Sequence, residues 1–563
     1  ILEPLYEVCI ERMQEFNVQN PLWFKAELEE ISNKYRSNIQ YFIFKSIILR
    51  NLYGVDIMVE ATEIAKLRLF LKMVAVVEVD KRADNLGLDP LPDIDFNIRC
   101  GNTLVGYATE EELNRDLNFE TDILQAIANK EFKEKVDEEM QLVSMAYDTF
   151  KYIQLNQGED MVAFKQAKGE LKQRLASLNG TLNRRMHAAT HLDYEDWLKS
   201  HQPFHWLAEF YQIIKGNGGF DVIIGNPPYV EYSKRNVKYT IGNYQTLKSS
   251  NLYSFVFERS IKISNGKVGF IIQLSSIGTE SMKSLRSFLT NNTRNLYYGC
   301  YPERPKQLFE GACIALSIVM CDAKVNSKEC NLYGSGVTRI AEESRCNLFS
   351  SIKYIQISGD NFLKEYNLFP KFKIDVEPSI FRKFSKDNSI IKYTASSSTQ
   401  SISYRTAGGR YWKIFLNREF ENISTSNKTK YIANEITNSI IVAILNSNLF
   451  WWYYVNYFDL YNLKDYMIFN FMYNDKKNED SLMLNKLGEQ LMASFEHHKV
   501  INRQFIQSKQ QETIFESFNP AKSKYIIDEI DKILAKHYGF TEEELDFIIN
   551  YDIKYRMGEE LNE

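Results

Sequence analysis

The sequence predicts an α/β protein with a doubly wound, mostly parallel sheet and a helical insertion, followed by an α+β region. Three observations predict this fold class. Short apolar stretches bounded by turn residues alternate with helical patterns through roughly the first 320 residues, which is typical of strands joined by crossing helices. Residues 108–215 are rich in Glu, Lys and Gln and poor in Pro, which favours long helices. Past residue 330, Ser- and Asn-rich turns separate short aromatic stretches.

The elements of the first half follow from these patterns in chain order. Residues 1–50 carry apolar side chains at helical spacing, including Leu5, Val8 and Cys9. Apolar, β-branched runs bounded by Gly, Pro or Asn predict the strands, and longer runs without these breakers predict the helices. The pattern predicts strands at 51–57, 96–100, 220–224, 267–273 and 315–320, and helices at 60–79, 108–215 and 252–263.

The length of the chain requires more than one domain. A chain of 563 residues is longer than a domain with a single hydrophobic core usually is. Its 44% hydrophobic residues are enough to fill several cores. We place the domain boundary near 330–350, where Ser- and Asn-rich turns and short aromatic stretches begin to dominate the sequence. This divides a first domain, residues 1–330 with the insertion at 108–215, from a second domain, residues 350–563.

Charge is unevenly distributed along the chain. The formal net charge is −5, so the chain as a whole is not a polybasic nucleic-acid binder. Residues 110–160 carry 14 acidic against 5 basic side chains, whereas residues 351–430 carry 14 basic against 7 acidic ones. A basic second half behind an acidic block predicts phosphate contacts by one face, and ordinary surface variation is the alternative.

The seven cysteines form no CxxC pair, and the sequence shows no signal peptide. This usage indicates reduced thiols and a cytoplasmic protein. No apolar run approaches the roughly 20 residues of a membrane span, which predicts that the protein has no membrane partner. The run Asn448–Phe458 is too short and too aromatic for a span, and we expect it to pack in a core or at an interface.

One motif carries chemistry. The strand at 220–224 leads into Asn226-Pro227-Pro228-Tyr229. Prolines have no backbone N–H and fix φ near −65°, so they form a stiff loop with outward carbonyls. With the Asn226 amide oxygen, these carbonyls make a cluster of acceptors for an amine, and the Tyr229 ring can stack on a flat base. Such a loop suits methylation of an exocyclic amine, which needs positioning and electrostatics but no metal. A plain Pro-Pro turn is the alternative.

The motif in this setting resembles the catalytic motif of the gamma-class DNA adenine-N6 methyltransferases. The resemblance implies a Rossmann-like methyltransferase sheet, S-adenosyl-L-methionine as cofactor and double-stranded DNA as substrate, with the target adenine extruded from the duplex. Asp56 and Ile57 resemble the second cofactor motif, where the carboxylate binds the ribose hydroxyls and Ile57 packs on the adenine ring. Asn102 resembles the third, where a polar side chain meets the adenine amine. Phe309 lies where relatives stack a second aromatic on the extruded base, and a core aromatic is the alternative there.

The second half resembles the TaqI-like target-recognition domain of type II restriction–modification enzymes. Arg405 and Arg410 flank a Gly-Gly turn, and their guanidinium groups can reach guanine edges or phosphates. An ordinary hairpin with solvated arginines is the alternative. Intact relatives often carry a nuclease or helicase segment upstream, which implies such a segment or subunit as a partner.

The sequence departs from the family pattern in one respect. The family's first motif, Asp/Asn-Pro-x-x-Gly-x-Gly, wraps the methionine moiety and matches nothing in the 563 residues. The opening residues, without Met, read as the helix that follows this motif, so we expect a chain truncated at its N-terminus. Two other functions stay open: methylation of a protein glutamine, which also uses such a loop, and an inactive chain that binds DNA or needs a partner supplying the Gly-rich motif.

Overall fold

The fold is described from a computed structural model of the chain. It describes residues 2–35, 38–79, 81, 91–118, 123–156, 160–303, 306–311, 313–323, 329–340, 347–350, 352–359, 367–407, 413–421, 424–458, 463–506 and 511–553. The chain divides into two compact units. The first comprises Ile1–Ile223, Val230–Tyr244 and Phe255–Gly266, and the second comprises Ile224–Tyr229, Gln245–Ser254 and Lys267–Glu563.

The first unit is mainly helical and contains a two-stranded parallel sheet, in which Asp56 lies opposite Cys100. Its elements are α1 (Leu2–Gln19), α2 (Lys25–Lys34), α3 (Ile39–Arg50), β1 (Gly54–Asp56), α4 (Val59–Val74), β2 (Ile98–Cys100), α5 (Glu110–Leu117), α6 (Ile123–Asn156), α7 (Met161–His187), α8 (Tyr194–His201), α9 (Trp206–Glu209) and a π-helix (Gln212–Gly216). Three further elements run from one unit into the other: β3 (Phe220–Gly225), α10 (Leu252–Lys262) and β4 (Ser264–Gln273).

Helices α5 to α9 lie in the segment predicted to be helical, residues 108–215, and its role as an insertion stays a prediction. Apolar residues spaced four, three and four apart on α7 (Leu171, Leu175, Leu178 and Leu182) are fully buried against α6. Asp160 caps the start of α7 by accepting hydrogen bonds from the amides of Val162 and Ala163. Two long helices that pack together across so short a connection form an antiparallel hairpin.

Among the described residues, a six-stranded sheet has the order β3-β4-β6-β5-β7-β8. The elements completing it in the second unit are α11 (Ser275–Gly278), α12 (Lys283–Asn292), β5 (Thr293–Tyr301), β6 (Leu316–Ala323), β7 (Asn331–Val337) and β8 (Ile355–Ile357). Strand β6 runs antiparallel to both neighbours, β7 runs parallel to β5, and β8 runs antiparallel to β7. The α/β class is confirmed, but this sheet is mixed rather than mostly parallel, and the doubly wound arrangement stays a prediction.

The rest of the second unit combines α-helices with a four-stranded antiparallel sheet of order β11-β10-β12-β9 and a hairpin, β13–β14. Its elements are α13 (Val376–Phe384), β9 (Thr394–Ala395), β10 (Gln400–Arg405), β11 (Phe415–Leu416), β12 (Asn427–Ile432), α14 (Asn438–Leu445), α15 (Asn448–Tyr457), α16 (Asp465–Phe469), α17 (Glu479–His498), β13 (Val500–Ile506), β14 (Gln511–Ser517), α18 (Lys524–Tyr538) and α19 (Glu542–Asn550). The aromatic run beginning at Asn448 is buried, in agreement with one of the two predicted environments, and it forms helix α15, which the sequence did not predict. The Asp531 carboxylate accepts hydrogen bonds from the first two amides of this helix.

In the part of the chain that the structure describes, no helix is long and apolar enough to cross a membrane. The cysteines there are free thiols, and Cys346 lies outside the described residues. The sequence did not predict α11, α12 and β5, which lie between two predicted strands. The predicted domain boundary at 330–350 stays a prediction. The two compact units are defined by their internal contacts alone and do not test it.

Candidate active site

The Asn-Pro-Pro-Tyr loop follows the C-terminal end of β3, as the sequence predicts. Asn226 and Pro228 are exposed, Pro227 is buried and Tyr229 is half-buried. A Cβ atom on Gly225 would lie 2.8 Å from the ring of Phe270, so only glycine fits before the loop. The strand therefore delivers the asparagine amide to an open surface on a stiff proline turn.

Tyr229 is held against Asn226. Its hydroxyl lies 2.7 Å from Oδ1 of Asn226 and 3.0 Å from the carbonyl oxygen of Ile271, and its single proton is donated to either acceptor. Burial raises the pKa of Tyr229, so the hydroxyl keeps its proton at neutral pH. An amide oxygen has two lone pairs, so Oδ1 can accept a second hydrogen bond from a bound amine.

A second tyrosine supports the Tyr229 ring. Tyr253, in the first turn of α10, is fully buried and meets Tyr229 edge-on, with ring centroids 6.1 Å apart. Its hydroxyl donates to the sulfur of Met282 at 3.2 Å. The sequence indicated the helix that begins here but not this ring contact. Phe309 is 45% exposed in a turn, and among the described residues it makes no ring contact.

The segments predicted to bind the cofactor lie in the first unit, at the ends of β1 and β2. Asp56 is exposed, and its Oδ1 accepts the amide of Met58 at 2.8 Å. Ile57 beside it is also exposed. The thiol of Cys100 points to the carbonyl oxygen of Ile57 at 3.5 Å. Burial, followed by the charges of Asp56 and Glu60, raises the pKa of Cys100.

Asn102 presents an unpaired donor. The side chain is buried, with 2% of its surface exposed, and Oδ1 accepts the amide of Leu104 at 3.1 Å. This bond fixes the orientation of the amide, because a flipped side chain would set its NH₂ against the Leu104 N–H. Nδ2 makes no hydrogen bond of normal geometry among the described residues. The Tyr239 hydroxyl lies nearby: burial raises the pKa of Tyr239, and its interaction with the Asn102 amide partly offsets this rise.

The predicted recognition hairpin is partly described. Arg405 is exposed at the end of β10, which pairs antiparallel with β11, and Arg410 lies outside the described residues. Arg405 shares a face of the sheet with Thr429 and Tyr431, because it lies opposite Asn427 and side chains alternate along β12. Both of these β12 residues are exposed. The sequence pattern does not predict this neighbouring strand, because its pairing with β10 is visible only in the fold.

The described residues contain no group of three or more His, Cys, Asp or Glu side chains that could hold a metal ion. The groups assembled at the two sites are instead amide and carbonyl acceptors beside an aromatic ring, and a strand-end carboxylate near an unpaired amide donor. The first set can accept the hydrogens of an amine. The second can bind hydroxyls and a ring nitrogen.

Comparisons with known proteins bear on these sites. Residues 50–298 match the model of the Eco57I restriction-modification methylase family. The chain is also similar to a putative type II restriction enzyme and methyltransferase of Methanocaldococcus jannaschii, with 28% identity over 370 residues. The alignment covers 58% of this chain and 30% of that protein, so the chain spans less than a third of this relative.

Solved structures show more distant likenesses. The type IIL restriction-modification enzyme MmeI in complex with DNA shares 12% identity, with 94% of this chain and 92% of that chain covered, at a TM-score of 0.34. A DrdV–DNA complex shares 10% identity over 68% of this chain and 62% of that chain, at a TM-score of 0.29. Scores of this size are too low to establish a shared fold.

Proposed function

We propose that this chain transfers a methyl group from S-adenosyl-L-methionine to the N6 amine of an adenine in double-stranded DNA, within a restriction–modification or related defence system. The match of residues 50–298 to the Eco57I methylase family supports methyl transfer. The observation that carries the finer proposal is the loop itself, where the Asn226 amide oxygen lies beside the ring and hydroxyl of Tyr229.

The loop residues supply positioning and charge stabilisation. The adenine amine is a weak nucleophile because its lone pair is delocalised into the ring. Oδ1 of Asn226 and a proline carbonyl accept its two hydrogens, which favours a tetrahedral nitrogen with a localised lone pair and stabilises the positive charge that develops on it. Bound S-adenosyl-L-methionine supplies a sulfonium methyl group, and its sulfur leaves as a neutral thioether. The methylated nitrogen then releases one proton towards these acceptors and solvent.

The aromatic side chains hold the base. An adenine inside a duplex cannot reach the loop, so it must be extruded at a cost of a few kcal/mol. Stacking on the Tyr229 ring offsets part of this cost, and Tyr253 limits the directions in which that ring can turn. Phe309 is exposed and is our candidate for the opposite side of the base.

Residues of the first unit fit the adenosine half of the cofactor. The Asp56 carboxylate at the end of β1 can accept hydrogen bonds from both ribose hydroxyls, and exposed Ile57 offers an apolar surface to the adenine ring. The unpaired Nδ2 of Asn102 needs an acceptor. Adenine ring nitrogens are acceptors, so we assign Asn102 to a ring nitrogen of the cofactor rather than to its amine.

The methionine half needs a Gly-rich loop, because only glycines allow the backbone to approach so closely. The 563 residues contain no such motif, so we propose that a further segment, in the same polypeptide or in a partner, completes the cofactor site. Strand β3 supports this proposal. It is an edge strand among the described residues, yet Val222 is 60% exposed and Ile224 is 80% exposed, which is unfavourable unless something covers them.

DNA binding is assigned mainly to residues 350–563. The excess of basic side chains at 351–430 provides phosphate contacts, and the exposed face carrying Arg405 and Tyr431 offers a guanidinium and an aromatic ring to base edges. We expect Arg410 to act with Arg405.

A methylation assay tests the proposal. The chain, joined to a segment that carries the Gly-rich motif, is incubated with methyl-labelled S-adenosyl-L-methionine and duplex DNA, and the digested nucleosides are separated by mass spectrometry. Label in N6-methyladenine is expected. Label in N4-methylcytosine would show that the loop accepts a different amine. Label only in glutamine of an added protein substrate would reject DNA as the substrate.

A further inference from the structure

Arg259, on α10, is a charged residue buried in the first unit with only 4% of its surface exposed. Its Nε donates to the hydroxyl of Tyr244 at 3.0 Å, and Nη1 donates to the Glu112 carboxylate at 2.5 Å. A buried guanidinium is costly unless its several N–H groups find acceptors. The remaining donors of Arg259 point to the backbone of another segment.

That segment is the turn that carries Asn102. Nη2 of Arg259 lies 3.5 Å from the carbonyl oxygen of Leu104 and 3.4 Å from that of Gly106. The Tyr244 hydroxyl donates to the same Leu104 carbonyl at 3.1 Å. Arg259 and Tyr244 therefore hold the 102–106 turn, the segment from Asn102 to Gly106, from one side.

The opposite side of the turn is equally constrained. Gly106 has a φ of +129°, and a Cβ atom there would lie 2.2 Å from the carbonyl oxygen of Phe204. The amide of Phe204 also donates to the carbonyl oxygen of Val105 at 2.7 Å. The turn is thus closed between the Phe204 backbone and the Arg259 side chain, with little room to shift.

Glu112 anchors the arginine. Burial raises the pKa of Glu112, but the charges of Arg259 and Lys262 outweigh this effect and hold the pKa below its ordinary value. The carboxylate therefore stays ionised at neutral pH and also accepts the amide of Ala108 at 3.1 Å. One guanidinium connects α10, α5 and the turn.

We propose that Arg259 is a positioning residue for cofactor binding, which keeps the 102–106 turn in the geometry that aims the Asn102 amide at adenine. This inference rests on the proposed function, since it takes Asn102 to be a cofactor-binding residue. Arg259 need not touch the ligand, because it acts through the carbonyls of Leu104 and Gly106. Lysine cannot replace it, since a single ammonium cannot span the carboxylate and both carbonyls at once.

The test compares Arg259→Lys with Arg185→Lys in the full chain. Arg185 is a matched control in the same unit, where its guanidinium also donates to a carboxylate, that of Asp116, and to a backbone carbonyl. The first readout is hydrogen exchange of the Leu104 and Val105 amides without ligand, since these amides donate to Asn102. The second is the affinity for S-adenosylhomocysteine, measured by ligand-observed NMR.

We expect Arg259→Lys to speed exchange of both amides and to weaken S-adenosylhomocysteine binding, each by tenfold or more, while Arg185→Lys changes neither beyond about twofold. Unchanged exchange or unchanged affinity in Arg259→Lys, or equal effects in the control, would overturn the inference. If Arg259→Lys does not fold, Tyr244→Phe removes the hydroxyl that donates to Leu104 and accepts Nε of Arg259, and the same two readouts apply with an expected change of about threefold.

Asn102→Ala separates failure of this inference from failure of the proposed function. If Asn102→Ala weakens S-adenosylhomocysteine binding but Arg259→Lys does not, the cofactor assignment stands and the positioning role is wrong. If neither variant changes the affinity, the assignment of Asn102 to the cofactor is wrong as well.

Discussion

Replacing Asn226 by alanine tests the proposed chemistry most directly. Asn226 is exposed, and its amide oxygen pairs with the Tyr229 hydroxyl at 2.7 Å. Loss of this bond should cost the fold about 0.5–1.5 kcal/mol at most. The Tyr229 hydroxyl keeps an acceptor, the Ile271 carbonyl at 3.0 Å, so the ring should stay in place. The effect on methyl transfer should be far larger, about 10²–10³ in rate or 2.7–4 kcal/mol, which is typical of removing one group that stabilises a transition state.

The assay is single-turnover methylation by the chain joined to the Gly-rich segment, at saturating DNA and cofactor. Asn236→Ala is a matched control, because Asn236 is also an exposed asparagine with one local hydrogen bond, to the carbonyl of Glu231. Asp56→Ala provides the contrast: saturating cofactor should recover part of its rate, whereas no ligand concentration should recover Asn226→Ala. A rate near wild type in Asn226→Ala would mean that the loop is a structural turn, and the central proposal would fail.

Three further predictions follow from the sites. Tyr229→Ala should lose both methylation and extrusion of the base, reported by 2-aminopurine fluorescence, whereas Tyr229→Phe should keep much of each because stacking needs only a ring face; equal losses in both variants would contradict this. Residues 1–563 alone should bind S-adenosyl-L-methionine poorly, and micromolar binding by calorimetry would argue against the need for a Gly-rich segment. Deleting residues 350–563 should remove most duplex affinity and its steep decrease with salt, measured by fluorescence anisotropy; unchanged affinity would show that the recognition region lies elsewhere.

The Asn-Pro-Pro-Tyr loop was predictable because its geometry is determined locally. Two prolines after an apolar strand determine their own backbone geometry, so the sequence alone predicted both the strand and the exposed Asn226. The long helices were equally predictable from the sequence. The spacing of Leu171, Leu175 and Leu178 marks the buried side of α7 without reference to any distant residue.

The remaining features depend on contacts between distant parts of the chain. Strand direction is not encoded in a strand's own residues, so the mixed sheet around β6 could not be distinguished from a mostly parallel one. Asn102 was predicted to bind the cofactor from its position at a strand end. Whether its Nδ2 finds a partner within the protein depends on how the 102–106 turn folds, which the sequence does not reveal. Arg259 lies more than 150 residues from that turn in sequence, and no periodicity connects them.

The orientation of the Asn102 amide leads to a final prediction. It distinguishes binding of an adenine ring nitrogen from binding of the adenine amine. Asn102→Asp keeps an oxygen to accept the Leu104 amide but replaces the unpaired donor with an acceptor. If the donor meets a ring nitrogen, two acceptors will face each other, and affinity for S-adenosylhomocysteine at neutral pH should fall by at least tenfold. A carboxyl at this buried position should have a raised pKa, because burial disfavours its charged form. Lowering the pH protonates it and restores a donor, so the variant should regain affinity as the pH falls, whereas the wild-type chain should show no such gain. Equal or tighter binding by Asn102→Asp at neutral pH would show instead that this side chain meets the adenine amine.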